Sequence, residues 1–284
     1  MMLTAWFLFS LVDSSVKWLL LAGLTAGPLS FVRYSVAFVL SLGLAFGQRA
    51  ALDRPTSGQA LLLLARGGLL VSATVFNFIA LNHLPLTVTA AIMFSAPIIV
   101  SALSGPLLGE RVGRWRWFAV FLGFAGVLIV IRPWSEAFHW ASLLVVYNAF
   151  ALAFFSIITR KLADSVSAQT MQVYMGALGT VALLPLAILD WQNPGTLRDW
   201  MILAGVGFWA WAGHEIFARA HRLADASVLM PFAYSFILYM AALGYLIFAD
   251  VPDRMTILGA SVIVVSGLIV WWRETGARNA EETA

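Results

Sequence analysis

Apolar residues run along this chain in long continuous blocks, and polar residues gather in short breaks between them. Ten blocks can be placed, at 3–21, 29–47, 61–81, 86–108, 115–132, 139–159, 169–189, 199–219, 226–248 and 255–272, with Gly, Pro and charged residues at the breaks. Each is close to the ~20 residues that an α-helix needs to cross a bilayer's hydrocarbon core. The blocks lack the alternation of barrel strands, so the pattern predicts helices that satisfy their own backbone groups. The breaks are too short for a folded soluble domain. The closing stretch RETGARNAEETA is polar throughout and is expected to be disordered.

Composition moves the reading in the same direction. Of 284 residues, 61% are hydrophobic and only 11% charged, against about a quarter charged in soluble domains. The mean hydropathy is +0.89. MMLTAWFLFSLVD opens the chain without a basic leader or a small-residue cleavage site, so the first block is read as a membrane helix. The absence of cysteine excludes disulfides, thiolate metal sites and a cysteine nucleophile.

A net charge of +3 could suggest nucleic acid in a soluble protein, but here the basic residues lie between apolar blocks, where they set orientation. With the N-terminus in the cytoplasm, that side holds Arg49, Arg54, Arg66, Arg111, Arg114, Arg116, Arg160, Lys161, Arg219, Arg222, Arg273 and Arg278. The opposite side holds Arg132, Arg198 and Arg254, with Arg33 at the edge of the second block and Lys17 inside the first. The bias predicts an inner-membrane protein with both termini cytoplasmic.

The chain repeats itself. The stretch from Thr89 and the stretch from Ser227 both carry a long apolar block with a proline and then an acidic residue (Glu110, Asp250). A short turn follows, then a block with a late glycine (Gly126, Gly267) and an arginine (Arg132, Arg273). Each half then has five spans, and an odd repeat must be inverted relative to its copy. The turn GERVGRWRW after block 4 is basic, whereas its counterpart FADVPDR is acidic, as expected if they face opposite sides. Expected units are residues 1–133, residues 139–273 as the inverted copy, and a polar cytoplasmic tail at 274–284. The fold class is all-α, with ten membrane helices in two inverted five-helix repeats around a central cavity.

These residues resemble the drug/metabolite transporter superfamily of EamA type. The likeness rests on the ten spans and on Pro97, then Leu108-Gly109-Glu110, then Gly123 and Gly126-Val127. The second half departs from the pattern, with Asp250 for the usual glutamate and Ile237 where a proline often aligns. Pro231-Phe232-Ala233-Tyr234, Val251-Pro252-Asp253 and Ser266-Gly267 followed by Arg273-Glu274 resemble a subgroup that includes bacterial riboflavin importers and S-adenosylmethionine transporters. The resemblance implies a secondary transporter of a small organic metabolite.

Ionisable groups within spans are costly and become candidates for function. Asp13 and Lys17 are four apart on the first block, so they share a helix face and could neutralise each other. They are either a structural tether or a substrate or proton contact. Block 8 carries His214 and the Glu215/Arg219 pair. Alignment of the halves sets Thr74 and Asn77 near His214 and Phe217. Asn148, beside Tyr147, is either interhelical glue or a substrate contact. Deep aromatics at Phe76, Phe94, Trp211 and Tyr234 could line a cavity, whereas Trp115, Trp117 and others near block ends read as interfacial. Pro97 and Pro231 are candidate hinges. Gly43/Gly47 and Gly105/Gly109 match the GxxxG spacing of packing faces.

No nucleotide loop, metal-ligand spacing or nucleophile elbow is present, so no cofactor, no metal and no catalytic residue are expected. Partners are a small-molecule substrate and the lipid bilayer, with a homodimer left open. The mechanism expected is alternating access. Both membrane acids have a basic residue four positions on, which disfavours a cationic cargo and favours a planar, nearly neutral one such as riboflavin. S-adenosylmethionine, amino acids or an exported metabolite are the alternatives. An intramembrane enzyme using His214 and Glu215 is disfavoured because adjacent helical residues point about 100° apart.

Overall fold

The computed structural model describes residues 1–47, 52–96, 98–100, 102–103, 114–162, 165–220, 232 and 235–282. Among these residues there are helices and no strands. The helices are α1 (Met2–Leu21), α2 (Ala26–Gly47), α3 (Ser57–Leu81), α4 (Leu86–Met93), α5 (Arg114–Ile131), α6 (Ala141–Leu162), α7 (Ala168–Leu189), α8 (Leu197–Ala220), α9 (Ser235–Phe248) and α10 (Arg254–Glu282). Five of them, α1, α2, α3, α6 and α7, are long and apolar enough to cross a membrane by length and composition.

The departures from the sequence pattern have local causes. Helix α3 starts at Ser57, ahead of the apolar block, because Thr56 and Gln59 form a reciprocal capping box that satisfies two backbone N–H groups. Helix α4 stops at Met93, and Phe94 and Ser95 form a turn before helical residues resume at Ala96. A proline at 97 would clash with the carbonyl four residues earlier, which suits a break at that place. The hinge positions Pro97 and Pro231 themselves lie outside the described residues, as do Gly105, Gly109 and Glu110. The polar tail, expected to be disordered, instead continues α10 as helix to Glu282. Its Glu, Arg and Ala residues are good helix formers, and extending an existing helix avoids the cost of nucleation.

Helices pair across the chain's midpoint. The main contacts are α1 with α8 and α9, α2 with α7 and α8, α3 with α6 and α7, α4 with α6 and α9, and α5 with α10. Exchanging each helix with the one five places away returns the same set: α1–α8 becomes α6–α3, α2–α8 becomes α7–α3, and α1–α9 becomes α6–α4. The pairs α2–α7, α4–α9 and α5–α10 map onto themselves. This is the contact pattern of two five-helix repeats that interlock face to face.

Contacts between connections sort the bundle into two ends. At one end, Arg132 is ion-paired with Asp253, Thr25 Oγ1 donates to the Asp190 carbonyl, and His83 stacks on His139 with ring centroids 5.1 Å apart. At the other, Asp53 accepts from the Ser167 N–H (2.6 Å) and from Thr170 Oγ1 (3.0 Å), tying the α2–α3 connection to the start of α7. These hydrogen bonds hold the Asp53 carboxyl below its ordinary range, so the tie is present at neutral pH and is lost only in acid.

Helices α5 and α10 cross closely. A Cβ on Gly126 would lie 2.9 Å from the Gly259 carbonyl oxygen, and one on Gly259 would lie 2.7 Å from that of Gly126. Backbone meets backbone there, and buried Ser266 Oγ donates across the seam to the Ala119 carbonyl at 2.6 Å. The GxxxG pair Gly43/Gly47 is not such a face, because a Cβ at either position meets nothing within 4 Å. Gly126→Ala and Gly259→Ala should each cost about 1–3 kcal/mol by overpacking. Thermal unfolding in detergent checks this, with Gly68→Ala, where a Cβ meets nothing within 4 Å, expected to cause no loss.

Candidate functional site

Four helices bring polar side chains together inside the bundle. Arg33 is the eighth residue of α2, about 10 Å along the helix from its start. Its Nη1 donates to Thr74 Oγ1 on α3 at 3.0 Å, and Nη2 lies 3.4 Å from His214 Nε2 on α8. Tyr34, the next residue of α2, is buried with its hydroxyl 3.0 Å from the same Thr74 Oγ1. One turn along α3 from Thr74, Asn77 Nδ2 donates to Asp13 Oδ1 on α1 at 3.3 Å. One turn back along α1 from Asp13, the Phe9 ring meets the His214 ring at 4.9 Å. The contacts therefore close a circuit: Phe9, His214, Arg33, Thr74, Asn77, Asp13 and back to Phe9.

Local sequence explains how each group reaches the circuit. Phe9 and Asp13 are four apart and Thr74 and Asn77 three apart, so each pair shares a helix face. Gly213, next to His214, lets α1 and α8 approach, since a Cβ there would lie 2.7 Å from the Phe9 ring. Aromatic rings extend the site on one side. Trp6 packs on Phe9, Phe217 and Phe236 at centroid distances of 5.7, 6.0 and 5.6 Å, and Phe94 follows at 6.3 Å from Phe236.

The circuit contains unspent hydrogen-bonding capacity. Asn77 Oδ1 is buried with no partner among the described residues. Among the described residues Arg33 makes no ion pair, and Asp13 Oδ2 makes no hydrogen bond. Arg33, Asp13 and His214 are partly accessible. Donors and acceptors beside aromatic faces suit a flat ligand with a polar edge.

Lys17 belongs to a second feature. The expected neutralisation of Asp13 by Lys17 does not form: Lys17 Nζ reaches across the molecule to Asp250 Oδ2 at 2.7 Å and to the Leu84 carbonyl at 3.2 Å. It also lies over the Phe248 ring at 5.1 Å. Asp250 gets there because α9 ends in a left-handed cap, in which the Ala249 N–H bonds the Tyr245 carbonyl. Asp250 N–H bonds the Gly244 carbonyl and Ala249 adopts a left-handed φ of 55°, turning the chain back toward α1. The pair lies in a pocket of about 660 Å³ bordered by Trp18, Asn82, His83 and Phe248.

Of the other candidates, Tyr147 bonds Ser72 Oγ at 2.8 Å and packs on Phe76 at 5.0 Å, on the face between α3 and α6. Asn148 is buried in α6, and Trp211 packs on Phe208 of its own helix. Among the described residues, none of Tyr147, Asn148 and Trp211 hydrogen-bonds to or stacks on the circuit. Glu215 and Arg219 do pair, at 2.9 Å. Tyr234 lies outside the described residues. Among the described residues no three His, Cys, Asp or Glu side chains gather as metal ligands. The residue that the sequence reading passed over is Arg33, placed at a block edge. The signal was PLSFVRYSVAF, an arginine with apolar residues on both sides.

Comparison with known proteins places this geometry in context. The model of the EamA-like transporter family matches residues 1–132 and 139–272. A riboflavin transporter of Vibrio cholerae is 32% identical, over 100% of this chain and 96% of its own. A pseudopaline exporter of Pseudomonas aeruginosa is 28% identical, over 92% of this chain and 90% of its own. A crystal structure 16% identical in sequence superposes with a TM-score of 0.63 over 94% of each chain, a likeness of fold.

Removing one partner of the Lys17–Asp250 pair strands the other. Asp250→Asn should cost about 1–3 kcal/mol, below the ~3–5 of a fully buried pair because solvent reaches Asp250. The double variant Lys17→Met/Asp250→Asn should recover most of that loss. Thermal unfolding of the single and double variants in detergent checks the coupling.

Proposed function

Because the chain belongs to the EamA-like transporter family, we propose that it carries riboflavin into the cell by alternating access around the Arg33 circuit. A small-molecule substrate and a membrane setting come with the family; the flavin is our assignment. The observation that carries it is the circuit itself, where Arg33, Asp13 and Asn77 present a polar edge beside Phe9 and Trp6. Riboflavin has this double character, with a flat ring system and hydrogen-bonding groups along one edge and on its side chain. The full-length likeness to a riboflavin transporter supports the choice.

In this reading both termini are cytoplasmic, following the bias of Lys and Arg. The pocket over Lys17 and Asp250 then faces outward. The ion pair joins α1 and the Leu84 carbonyl to the end of α9, so it latches residues 1–133 to residues 139–273, the two proposed repeats. Opening outward breaks the latch; opening inward keeps it. The chain performs no chemistry on its cargo, and a gradient supplies the energy.

One observation favours a second cargo class. Asp13 is free of Lys17, so Asp13 and Arg33 together could hold an amino acid or another zwitterion. The sequence argument against a cationic cargo also loses its premise here.

Growth of a riboflavin auxotroph that lacks uptake, at low external riboflavin, separates these readings. Rescue is expected; no rescue with the protein present in the membrane would remove riboflavin as cargo. Asp13→Asn should lower uptake at least about tenfold, as loss of a charged hydrogen-bonding group does. Glu215→Gln, at equal expression, should lower it much less, since its partner Arg219 is half exposed.

A further inference from the structure

Resting on the flavin reading, we infer that Asp13 and Arg33 read the imide edge of the isoalloxazine ring and so set which flavins are carried. That edge runs C2=O, N3–H, C4=O, an acceptor, a donor and an acceptor in line. Recognition needs an acceptor for the N–H and a donor for a carbonyl next to it.

Arg33 supplies the donor for a carbonyl beside the N–H. A guanidinium has five N–H groups in a fixed fork, and the contacts to Thr74 and His214 use Nη1 and Nη2 once each. The remaining N–H groups have no acceptor among the described residues, and Arg33 is partly accessible. Asp13 supplies the acceptor. Asn77 occupies Oδ1 and leaves Oδ2 open. The Asn77 amide orientation follows from that contact, because a carboxylate oxygen takes Nδ2–H and would repel Oδ1.

The two groups are anchored one turn apart on α3, through Thr74 and Asn77, and do not pair with each other within 4.0 Å among the described residues. A charge at membrane depth without a partner is costly. A ligand group that completes both relieves that cost, and an N–H beside a carbonyl does so. The ribityl chain could not fix an orientation there, since each hydroxyl both donates and accepts. Phe9, in contact with His214 and Trp6, offers a face for the ring behind the edge.

A site built to bond a particular N–H rejects an analogue that lacks it, because its polar groups are then left unpaired. The test is competition against labelled riboflavin on the purified full-length protein, with unlabelled riboflavin and 3-methylriboflavin as competitors. The methyl group removes the N3 donor and keeps both carbonyls, the ring and the ribityl chain. We expect 3-methylriboflavin to compete at least about tenfold more weakly on the native protein. In Asp13→Asn, whose amide can turn a donor to the ligand, the difference should shrink severalfold, and in Glu215→Gln it should stay. Equal competition by the two flavins on the native protein would overturn the inference while leaving riboflavin as cargo. A difference unchanged in Asp13→Asn would overturn the role of Asp13. Absence of saturable riboflavin binding to the native protein is a separate outcome and would overturn the flavin reading itself.

Discussion

Arg33 sets the terms for the interior of this protein. A guanidinium about two turns into a membrane helix cannot be left among apolar side chains, because the bilayer offers it no hydrogen bonds. Thr74 and His214 answer two of its donors from α3 and α8. Asp13 and Asn77 continue the polar path to α1. One residue of α2 thus ties α3 and α8 to the same point, and α1 joins them through Asn77 and His214. Since α8 belongs to the second half of the chain, the arginine also joins the two halves at the centre.

The other inter-half contacts follow a division of labour. The α5–α10 crossing is packed backbone on backbone at Gly126 and Gly259, which leaves little freedom for sliding. The Lys17–Asp250 contact is a different kind of joint. It depends on one ion pair, on the Leu84 carbonyl and on a left-handed Ala249, beside a pocket of about 660 Å³. Water can replace an ion pair of this sort at modest cost, so it can open without unpacking the core. A rigid seam at α5–α10 and a breakable joint over the central circuit are the parts that an alternating-access device requires.

Much of the fold was legible in the sequence because the bilayer enforces it. Ten apolar blocks match ten helices among the described residues, and the inversion was read from the basic and acidic turns at 109–117 and 248–254, of which 109–113 lie outside the described residues. Interior pairing was less legible. Spacing set Asp13 and Lys17 on one helix face, but a long lysine near the end of α1 can reach past its own helix, and Asp250 of the other half won it. Arg33 was assigned to an edge since charge counts favour edges, and only the contacts of α3 and α8 place it inside. Asn77 and His214 were found as polar residues in apolar helices, the signal that membrane sequences report best. Tyr147 was found the same way and instead bonds Ser72 on the face between α3 and α6. Polarity within a span marks a need for a partner; it does not say whether that partner is a ligand.

The central claim is that substrate sits in the circuit around Arg33 and not in the pocket over Lys17. The native chain has no cysteine, so single cysteines report without interference. Phe9→Cys places a thiol in the circuit, and Leu21→Cys places one in the pocket. With a small thiol reagent on reconstituted protein, saturating riboflavin should slow the labelling of Phe9→Cys and leave Leu21→Cys unchanged. Protection at Leu21→Cys with none at Phe9→Cys would contradict the account.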